Sequence, residues 1–131
     1  MSDKELMALA AEARERAYAP YSNFAVGAAL LCENGKVYLG CNIENAAFSP
    51  TNCAERTAIF SAVADGERKF AAIAVCGGEI GKKRIFCTPC GVCRQVLSEF
   101  CDASLKVILE DGEGGIKALT LGELLPFSFN M

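Results

Sequence analysis

The chain has 131 residues, of which 52% are hydrophobic, and it carries 13 Lys and Arg against 16 Asp and Glu. This length and composition predict one globular domain over residues 1–131, without long disordered tracts. The net charge of −3 argues against binding to a nucleic-acid backbone. Because the N-terminal region is acidic and no apolar run approaches the ~18 residues of a membrane span, we expect neither an export signal nor a membrane partner, and a cytoplasmic location.

Hydrophobic periodicity, helix caps and turn residues predict nine elements of secondary structure. In chain order they are a helix over residues 3–17, strands over 26–32 and 36–42, a helix over 53–64, strands over 71–76 and 84–87, a helix over 91–101, a strand over 105–110 and a short helix capped by Thr120. The first helix opens on a capping box between Ser2 and Glu5. The first two strands are joined at Asn34-Gly35, which is the strongest short signal for a hairpin.

The alternation of helices and strands predicts an α/β fold. A mixed sheet of about five strands would be covered by helices on both faces, as a three-layer α/β/α sandwich. Neither an internal repeat nor a linker divides the chain.

Two counts restrict the chemistry: the chain has no histidine and eight cysteines. The absence of histidine excludes Ser-His-Asp and Cys-His nucleophiles, histidine general bases and histidine metal ligands. Acid–base chemistry is therefore left to Glu, Asp, Lys, Tyr or Cys. In a reducing compartment the cysteines indicate metal binding, redox chemistry or plain burial rather than a disulfide framework.

Cys90 and Cys93 lie three residues apart at the start of a predicted helix, where both side chains can converge on one point. Taken alone, this Cys-x-x-Cys pair fits half of a structural zinc site as well as a redox dithiol. A further cysteine at a helix start, Cys53, is followed two residues later by Glu55. Three cysteine ligands leave the fourth zinc position open for water, and a glutamate is suited to carry protons. Cys-x-Glu followed by Pro-Cys-x-x-Cys is the all-cysteine form of the zinc nucleobase-deaminase signature.

A zinc site made of three cysteines would carry a net charge. Three thiolates around a zinc ion leave one net negative charge, which makes bound water a poorer acid. Arg56 is a natural compensator, with a surface helix cation as the equal alternative. The five remaining cysteines are interpreted mostly as core residues, with Cys87 as the exception because it lies three residues before Cys90. They are Cys32, Cys41, Cys76, Cys87 and Cys101.

A set of longer motifs surrounds these residues. They are Tyr21-Ser22-x-Phe24, Asn42-Ile43-Glu44-Asn45-Ala46, Cys53-Ala54-Glu55-Arg56-Thr57-Ala58, Pro89-Cys90-Gly91-x-Cys93-Arg94-Gln95 and Glu123-Leu124-Leu125-Pro126. Through them, residues 18–129 resemble the cytidine deaminases of the short, homotetrameric class. The departure at Cys87-Thr88, where that family usually has an apolar residue and Ser, leaves the cysteine set intact.

The resemblance implies an enzyme that deaminates cytidine and 2'-deoxycytidine to the uracil nucleosides by zinc-dependent hydrolysis, in pyrimidine salvage. Cys53, Cys90 and Cys93 would bind one zinc ion per chain, and zinc hydroxide would attack C4 of the base. Glu55 would protonate the pyrimidine N3 and then the departing ammonia.

The resemblance also implies a set of nucleoside-binding residues. Asn42 and Glu44 would hold the ribose hydroxyls, and Phe24 would pack on the base. Ala54 would also contact the substrate, and Phe129 would reach the nucleoside of a neighbouring subunit in a homotetramer. From the residues alone, Asn42 and Glu44 are more often solvated turn residues, and Phe24 is a core residue. Phe129 has the alternative of packing within its own subunit.

Four other interpretations remain at this point. A structural zinc module would need a fourth ligand from a spare cysteine, and a redox protein built on Cys90 and Cys93 gives no account of Glu55. A deaminase of nucleoside antibiotics has the same metal motifs, although residues 42–45 favour ordinary nucleosides. A nucleic-acid-editing deaminase would need basic and aromatic surface, which an acidic chain without Trp does not offer.

Overall fold

Four helices and five strands make up the fold in the computed structural model, which describes residues 1–131. In chain order they are α1 (Asp3–Arg14), β1 (Phe24–Cys32), β2 (Val37–Cys41), α2 (Ala54–Ala64), β3 (Phe70–Glu79), α3 (Gly91–Phe100), β4 (Lys106–Glu110), β5 (Ile116–Thr120) and α4 (Leu121–Leu124). The predicted capping box between Ser2 and Glu5 is present at the start of α1. None of these helices has both the length and the apolar character that crossing a membrane requires.

The five strands form one mixed sheet in the order β2-β1-β3-β4-β5. Strands β3 and β4 are parallel, and the other three neighbouring pairs are antiparallel. The register places Gly27 of β1 opposite both Cys41 on β2 and Cys76 on β3. The predicted hairpin is confirmed, since β1 pairs with β2 across a turn in which Gly35 has a φ of +93°. Glycine adopts this backbone conformation without the steric cost that a side chain adds.

Helices cover both faces of the sheet, which confirms the predicted three-layer arrangement. On one face α1 packs Leu6, Met7 and Ala10 against the strands. On the other face, buried residues of α2, α3 and α4 share the larger core with the sheet. Side chains alternate along a strand, and accordingly Ala29 of β1 belongs to the α1 side whereas Leu30 belongs to the α2 side.

The strand predicted over residues 84–87 is wrong. A single antiparallel bridge joins Ile85 to Gly77, and no ladder continues from it. The segment lies at the surface, where Arg84 forms an ion pair with Glu110 (Nε to Oε1, 2.7 Å) and Ile85 is 49% exposed. Because it is not covered by helices on both faces, its apolar run does not make a central strand.

The fifth strand of the sheet is instead β5, which the sequence prediction omitted. It pairs antiparallel with β4 after a turn in which Oδ1 of Asp111 accepts the backbone N–H groups of Glu113 (2.7 Å) and Gly115 (3.0 Å). As an edge strand β5 has a single neighbour, and Lys117 and Ala118 in its middle are exposed. Edge strands need little apolar character, so their sequence signal is weak.

The N-termini of α2 and α3 meet on the face that carries the larger core. Cys53 caps α2 and Cys90 caps α3, and their Sγ atoms lie 3.8 Å apart. Helix α2 lies close on β2, since a Cβ atom added to Gly40 would come within 2.3 Å of the carbonyl oxygen of Ala54. This close approach positions the first turn of α2 relative to the sheet.

Candidate active site

The three cysteines singled out by the sequence lie at two helix starts. Cys53 and Cys90 are N-cap residues with extended backbones (φ −79°, ψ 158° and φ −67°, ψ 167°). Cys93 follows in the first turn of α3, and its backbone N–H donates to Sγ of Cys90 (3.5 Å). An N-cap side chain folds back over the first turn of its own helix. The sulfur of Cys90 does so, whereas Cys53 forms no side-chain cap bond; because the two helix starts adjoin, the two sulfurs lie 3.8 Å apart.

The Sγ atoms of Cys53, Cys90 and Cys93 form a compact triangle. Sγ of Cys90 lies 3.8 Å from that of Cys53 and 3.5 Å from that of Cys93, and all three atoms lie within 4.8 Å of one another. Tetrahedral zinc with Zn–S bonds of ~2.3 Å requires sulfurs about 3.8 Å apart, so this donor set fits zinc. The cluster contains no fourth Cys, Asp or Glu. Three protein donors are typical of a catalytic zinc site, whereas a closed structural site has four.

Arg56 provides positive charge beside this cluster. Its Nη2 donates to Sγ of Cys53 at 3.1 Å, and its Nε is buried without a hydrogen-bond partner. A hydrogen bond from Cys93, together with Arg56, lowers the pKa of Cys53 to about 5. The negative sulfur of Cys53 raises the pKa of the neighbouring Cys93 in turn. The guanidinium is therefore directed at the sulfur cluster, as a compensator of its charge would be.

Glu55 is the one charged side chain that is buried in the chain, with 4% of its surface exposed. It lies in the first turn of α2 and lines a cavity with Cys53 and Cys90. Burial raises the pKa of Glu55 to about 7, and the charge on Cys53 adds to this effect. Burial of a carboxyl group beside a cluster of thiols costs free energy. Groups with such perturbed pKa values concentrate at functional sites.

The cavity has a volume of about 350 Å³ and collects most of the predicted site residues. Phe24, Asn42, Glu44 and Ala54 line it together with Cys53, Glu55 and Cys90. Cys93 is fully buried, and neither Cys93 nor Arg56 belongs to the lining. Phe129 is not part of this cavity; its side chain is 68% exposed.

Asn42 is held by β1 at both ends of its amide. Its Oδ1 accepts the backbone N–H of Val26 (2.8 Å), and its Nδ2 donates to the carbonyl oxygen of Phe24 (2.8 Å). The side chain is therefore more than a solvated turn residue. One N–H and one lone pair of the amide remain for a ligand.

Glu44 is anchored to the loop that precedes β1. Its Oε1 accepts the backbone N–H groups of Tyr21 (2.9 Å) and Ser22 (3.1 Å), and its Oε2 accepts the hydroxyl of Ser22. The hydrogen bond from the Ser22 hydroxyl, followed by those from the backbone, lowers the pKa of Glu44. The carboxylate is thus ionised and fixed in orientation at the rim of the cavity.

Two successive hydrogen bonds support the backbone of Cys53, and the sequence analysis did not predict them. Nδ2 of Asn52 donates to Oγ1 of Thr57 (3.1 Å), and this hydroxyl donates to the carbonyl oxygen of Cys53 (3.1 Å). Thr57 follows Cys53 by four residues, which is the spacing of one helical turn. That spacing was the available signal for a residue that supports the cap.

The remaining cysteines are free thiols. Cys32 and Cys76 are buried in the two cores, as interpreted from the sequence. Cys87 differs from them because it lines the cavity, and burial raises its pKa to about 11. It lies outside the metal-binding cluster, so it supplies no closing ligand there.

Comparison with known proteins places this site in a family. The family model for the cytidine and deoxycytidylate deaminase zinc-binding region matches residues 1–109. The chain belongs to this deaminase family. Among its relatives, the cytidine deaminase of Sporosarcina psychrophila is 52% identical over 130 residues, which are 99% of this chain and 93% of that protein. The cytidine deaminase of Halalkalibacterium halodurans is 49% identical over 129 residues, 98% of this chain and 95% of that protein.

Solved structures of the deaminase family have the same architecture. The crystal structure of cytidine deaminase from Burkholderia pseudomallei superposes with a TM-score of 0.90 at 50% identity, over 98% of this chain and 100% of that one. The structure of cytidine deaminase from Mycobacterium tuberculosis superposes with a TM-score of 0.84 at 35% identity, over 100% and 99% of the two chains. The resemblance inferred from the motifs is confirmed, including the short length of the class.

Proposed function

We propose that this deaminase hydrolyses cytidine and 2'-deoxycytidine to uridine and 2'-deoxyuridine with release of ammonia. The proposal rests on one observation: buried Glu55 lines the same cavity of about 350 Å³ as Cys53 and Cys90. A concave site of this size suits a small ligand. Two bacterial relatives that match nearly all of the chain are named cytidine deaminase.

Cys53, Cys90 and Cys93 would hold one zinc ion per chain. Zinc, when bound, supplies Lewis-acid activation of water for attack on the base. Arg56 offsets the charge of the thiolates through its contact with Sγ of Cys53 (3.1 Å). The N-termini of α2 and α3 add positive partial charge beside the sulfurs and favour their ionised form.

Glu55 moves the protons in this proposal. Hydrolysis of the amino group requires that one proton reach N3 of the base and another reach the leaving amine. Two carboxylates line the cavity, and the oxygens of Glu44 are already bonded to the loop before β1. Glu55 lies next to the sulfur cluster, and its oxygens are not bonded to that loop, so we assign both transfers to it.

The other lining residues would bind the nucleoside. Phe24 packs on the base, Ala54 contacts it from the start of α2, and the amide of Asn42 and the carboxylate of Glu44 bond the ribose hydroxyls. Asn42 and Glu44 are held rigidly by neighbouring backbone, and prearranged groups bind with less loss of conformational entropy.

The assembly proposed for this chain is a homotetramer that acts in the cytoplasm, in pyrimidine salvage. Seven aromatic residues are exposed on its surface, and the most exposed of them are Phe48 (80%), Phe127 (105%) and Phe129 (68%). Large exposed apolar groups of this kind mark interaction surfaces. In such an assembly Phe129 would reach the nucleoside held by a neighbouring subunit.

One assay tests the proposal. Purified protein is measured for metal content, then for loss of cytidine absorbance together with release of ammonia, before and after chelation and after zinc is restored. We expect one zinc per chain, release of one ammonia per cytidine, and activity that follows the zinc. A metal-free protein of full activity would contradict the zinc assignment, and a zinc protein that releases no ammonia would be a structural module instead.

A further inference from the structure

The segment after α4 is attached to the helix that carries two of the three candidate ligands. Arg94 of α3 donates from Nε to the carbonyl oxygen of Pro89 (2.7 Å) and from Nη1 to that of Leu124 (2.7 Å). The next residue, Gln95, donates from Nε2 to the carbonyl oxygen of Phe129 (2.9 Å). Two adjacent side chains therefore hold both ends of residues 124–129, the last residue of α4 and the segment that follows it, which we call the C-terminal tail.

Arg94 also contacts the backbone on both sides of Cys90. Its guanidinium binds the carbonyl group of Pro89, which directly precedes Cys90, and its own backbone N–H donates to the carbonyl oxygen of Cys90 (3.0 Å). The second of these is the ordinary helix bond of α3, which any residue at position 94 makes, so the contact specific to the Arg94 side chain is the one to Pro89. This contact fixes the peptide group that directly precedes Cys90.

The contacts of Arg94 are specific to a guanidinium. No carboxylate forms an ion pair with it, and both of its side-chain acceptors are backbone carbonyls on separate segments of the chain. A planar guanidinium presents its donors in a fixed fork, whereas a lysine ammonium is a single point of charge. Lysine therefore cannot bridge Pro89 and Leu124 in the same way.

The C-terminal tail depends on these backbone contacts rather than on burial of its rings. The side chains of Phe127 and Phe129 are 105% and 68% exposed. The carbonyl oxygens at the two ends of the tail are instead bonded by Arg94 and Gln95. Leu124 packs against the larger core and the backbone N–H of Leu125 bonds to Leu121, so loss of the Arg94 and Gln95 bonds frees chiefly the residues beyond these two.

We infer that Arg94 is a positioning residue that couples the loop at Cys90 to the C-terminal tail, while Gln95 holds the tail alone. The part that concerns zinc rests on the proposed function, because it requires Cys90 to be a ligand. The attachment of the tail is a property of the chain with or without metal. Removal of the Arg94 guanidinium disturbs both the loop at Cys90 and the C-terminal tail. Removal of the Gln95 side chain disturbs the tail alone.

The test compares Arg94→Ala, Arg94→Lys and Gln95→Ala with wild type, and uses Glu99→Gln, an exposed change on the same helix, as the matched control. Three quantities are measured on protein purified with its metal: the rate of zinc transfer to a chromophoric chelator, the rate of chymotrypsin cleavage after Phe127 or Phe129 in the C-terminal tail, and kcat and KM for cytidine. Arg94→Lys keeps a cation and an alkyl stem, so it still tests whether the guanidinium positions the two segments if Arg94→Ala does not fold.

Removal of a group that orients a metal ligand typically costs ~10–100-fold in metal affinity, so we expect both Arg94 variants to bind zinc more weakly by about this factor and to release it faster than wild type. They also lose protection from cleavage in the C-terminal tail. Gln95→Ala loses the protection and raises KM, but releases zinc at the wild-type rate. Glu99→Gln matches wild type in all three measurements.

Two outcomes would overturn the inference. If both Arg94 variants keep wild-type zinc release and a protected tail, Arg94 positions neither segment. If Gln95→Ala releases zinc as fast as the Arg94 variants, the tail itself holds the metal loop, and the role assigned to Arg94 is wrong. A wild-type protein without zinc would contradict the proposed function instead, and the rate of cleavage by chymotrypsin would still test the attachment of the tail.

Discussion

At the scale of single residues, Glu55 has an environment unlike that of any other carboxylate in the chain, because it is the one that is buried. Replacement by Gln keeps the shape of the side chain and removes its ability to exchange protons. We expect Glu55→Gln to lower kcat by ~10²–10⁴-fold, the usual contribution of a general acid–base group, with zinc content and melting temperature close to wild type. Steady-state kinetics and metal analysis check this.

The control for this prediction is Glu99→Gln, an exposed change of the same chemical kind. It should leave kcat unaltered. A loss below about tenfold in Glu55→Gln would be too small for a group that carries both protons.

Glu44 and Asn42 are two further single residues, and we predict that their replacement weakens binding of the nucleoside. Removal of Glu44 takes away a charged acceptor, and hydrogen bonds to charged groups contribute ~1.5–3 kcal/mol, so Glu44→Ala should raise KM for cytidine about tenfold or more. Asn42→Ala should also raise KM. Because 2',3'-dideoxycytidine lacks the hydroxyls in question, its KM should change much less in both variants.

The variant Ser22→Ala separates ribose binding from loop structure, since it removes the Ser22 hydroxyl bond to Glu44 and leaves the carboxylate in place. Equal rises of KM for cytidine and for the dideoxynucleoside in Glu44→Ala would mean that the residue only supports the loop. An unaltered KM in Asn42→Ala would mean that the amide only supports β1 and does not bind the nucleoside.

At the scale of elements, the position of α2 on β2 decides where Cys53 and Glu55 lie. A Cβ atom on Gly40 would lie 2.3 Å from the carbonyl oxygen of Ala54 and 2.5 Å from the backbone nitrogen of Ala58. Backbone atoms cannot yield as a flexible side chain does, so Gly40→Ala must push the helix away. Overpacking of this kind costs ~1–3 kcal/mol.

We therefore expect Gly40→Ala to lower the free energy of unfolding by ~1–3 kcal/mol and to lower activity as well, as measured by urea titration and by turnover. Ser61→Ala, at an exposed position of the same helix, should stay within ~0.5 kcal/mol of wild type. A Gly40→Ala protein with wild-type stability would show that α2 can shift without cost.

The elements also show which parts of the structure a sequence can reveal. The cysteine cluster was predictable because each sulfur belongs to a helix start, and caps are set by residues within one turn. Strand β5 and the segment over residues 84–87 were not, because an apolar run becomes a strand only if neighbouring chain pairs with it and covers it. Arg94 was missed for a related reason, since its acceptor at Leu124 lies thirty residues away.

At the scale of the whole molecule, the C-terminal tail is the feature that the fold of one subunit leaves unexplained. Its aromatic rings are exposed rather than packed within their own subunit, and Phe129 lies outside the cavity of the chain that carries it. Phe127 also has a positive φ of 53°, a conformation uncommon for a bulky residue. These observations favour a tail that is completed by a second copy of the chain.

Removal of residues 127–131 should therefore weaken assembly and nucleoside binding together, because the same ring would serve both. Truncation also deletes the Gln95 contact at Phe129, so Phe129→Ala is the sharper variant: it removes the ring and retains the backbone carbonyl that Gln95 binds. In sedimentation experiments we expect the truncated protein to dissociate at concentrations where wild type is a tetramer, and both variants to show a raised KM for cytidine. A truncated protein that sediments as a tetramer with unaltered KM, or a wild-type protein that is an active monomer at nanomolar concentration, would assign the tail to its own subunit.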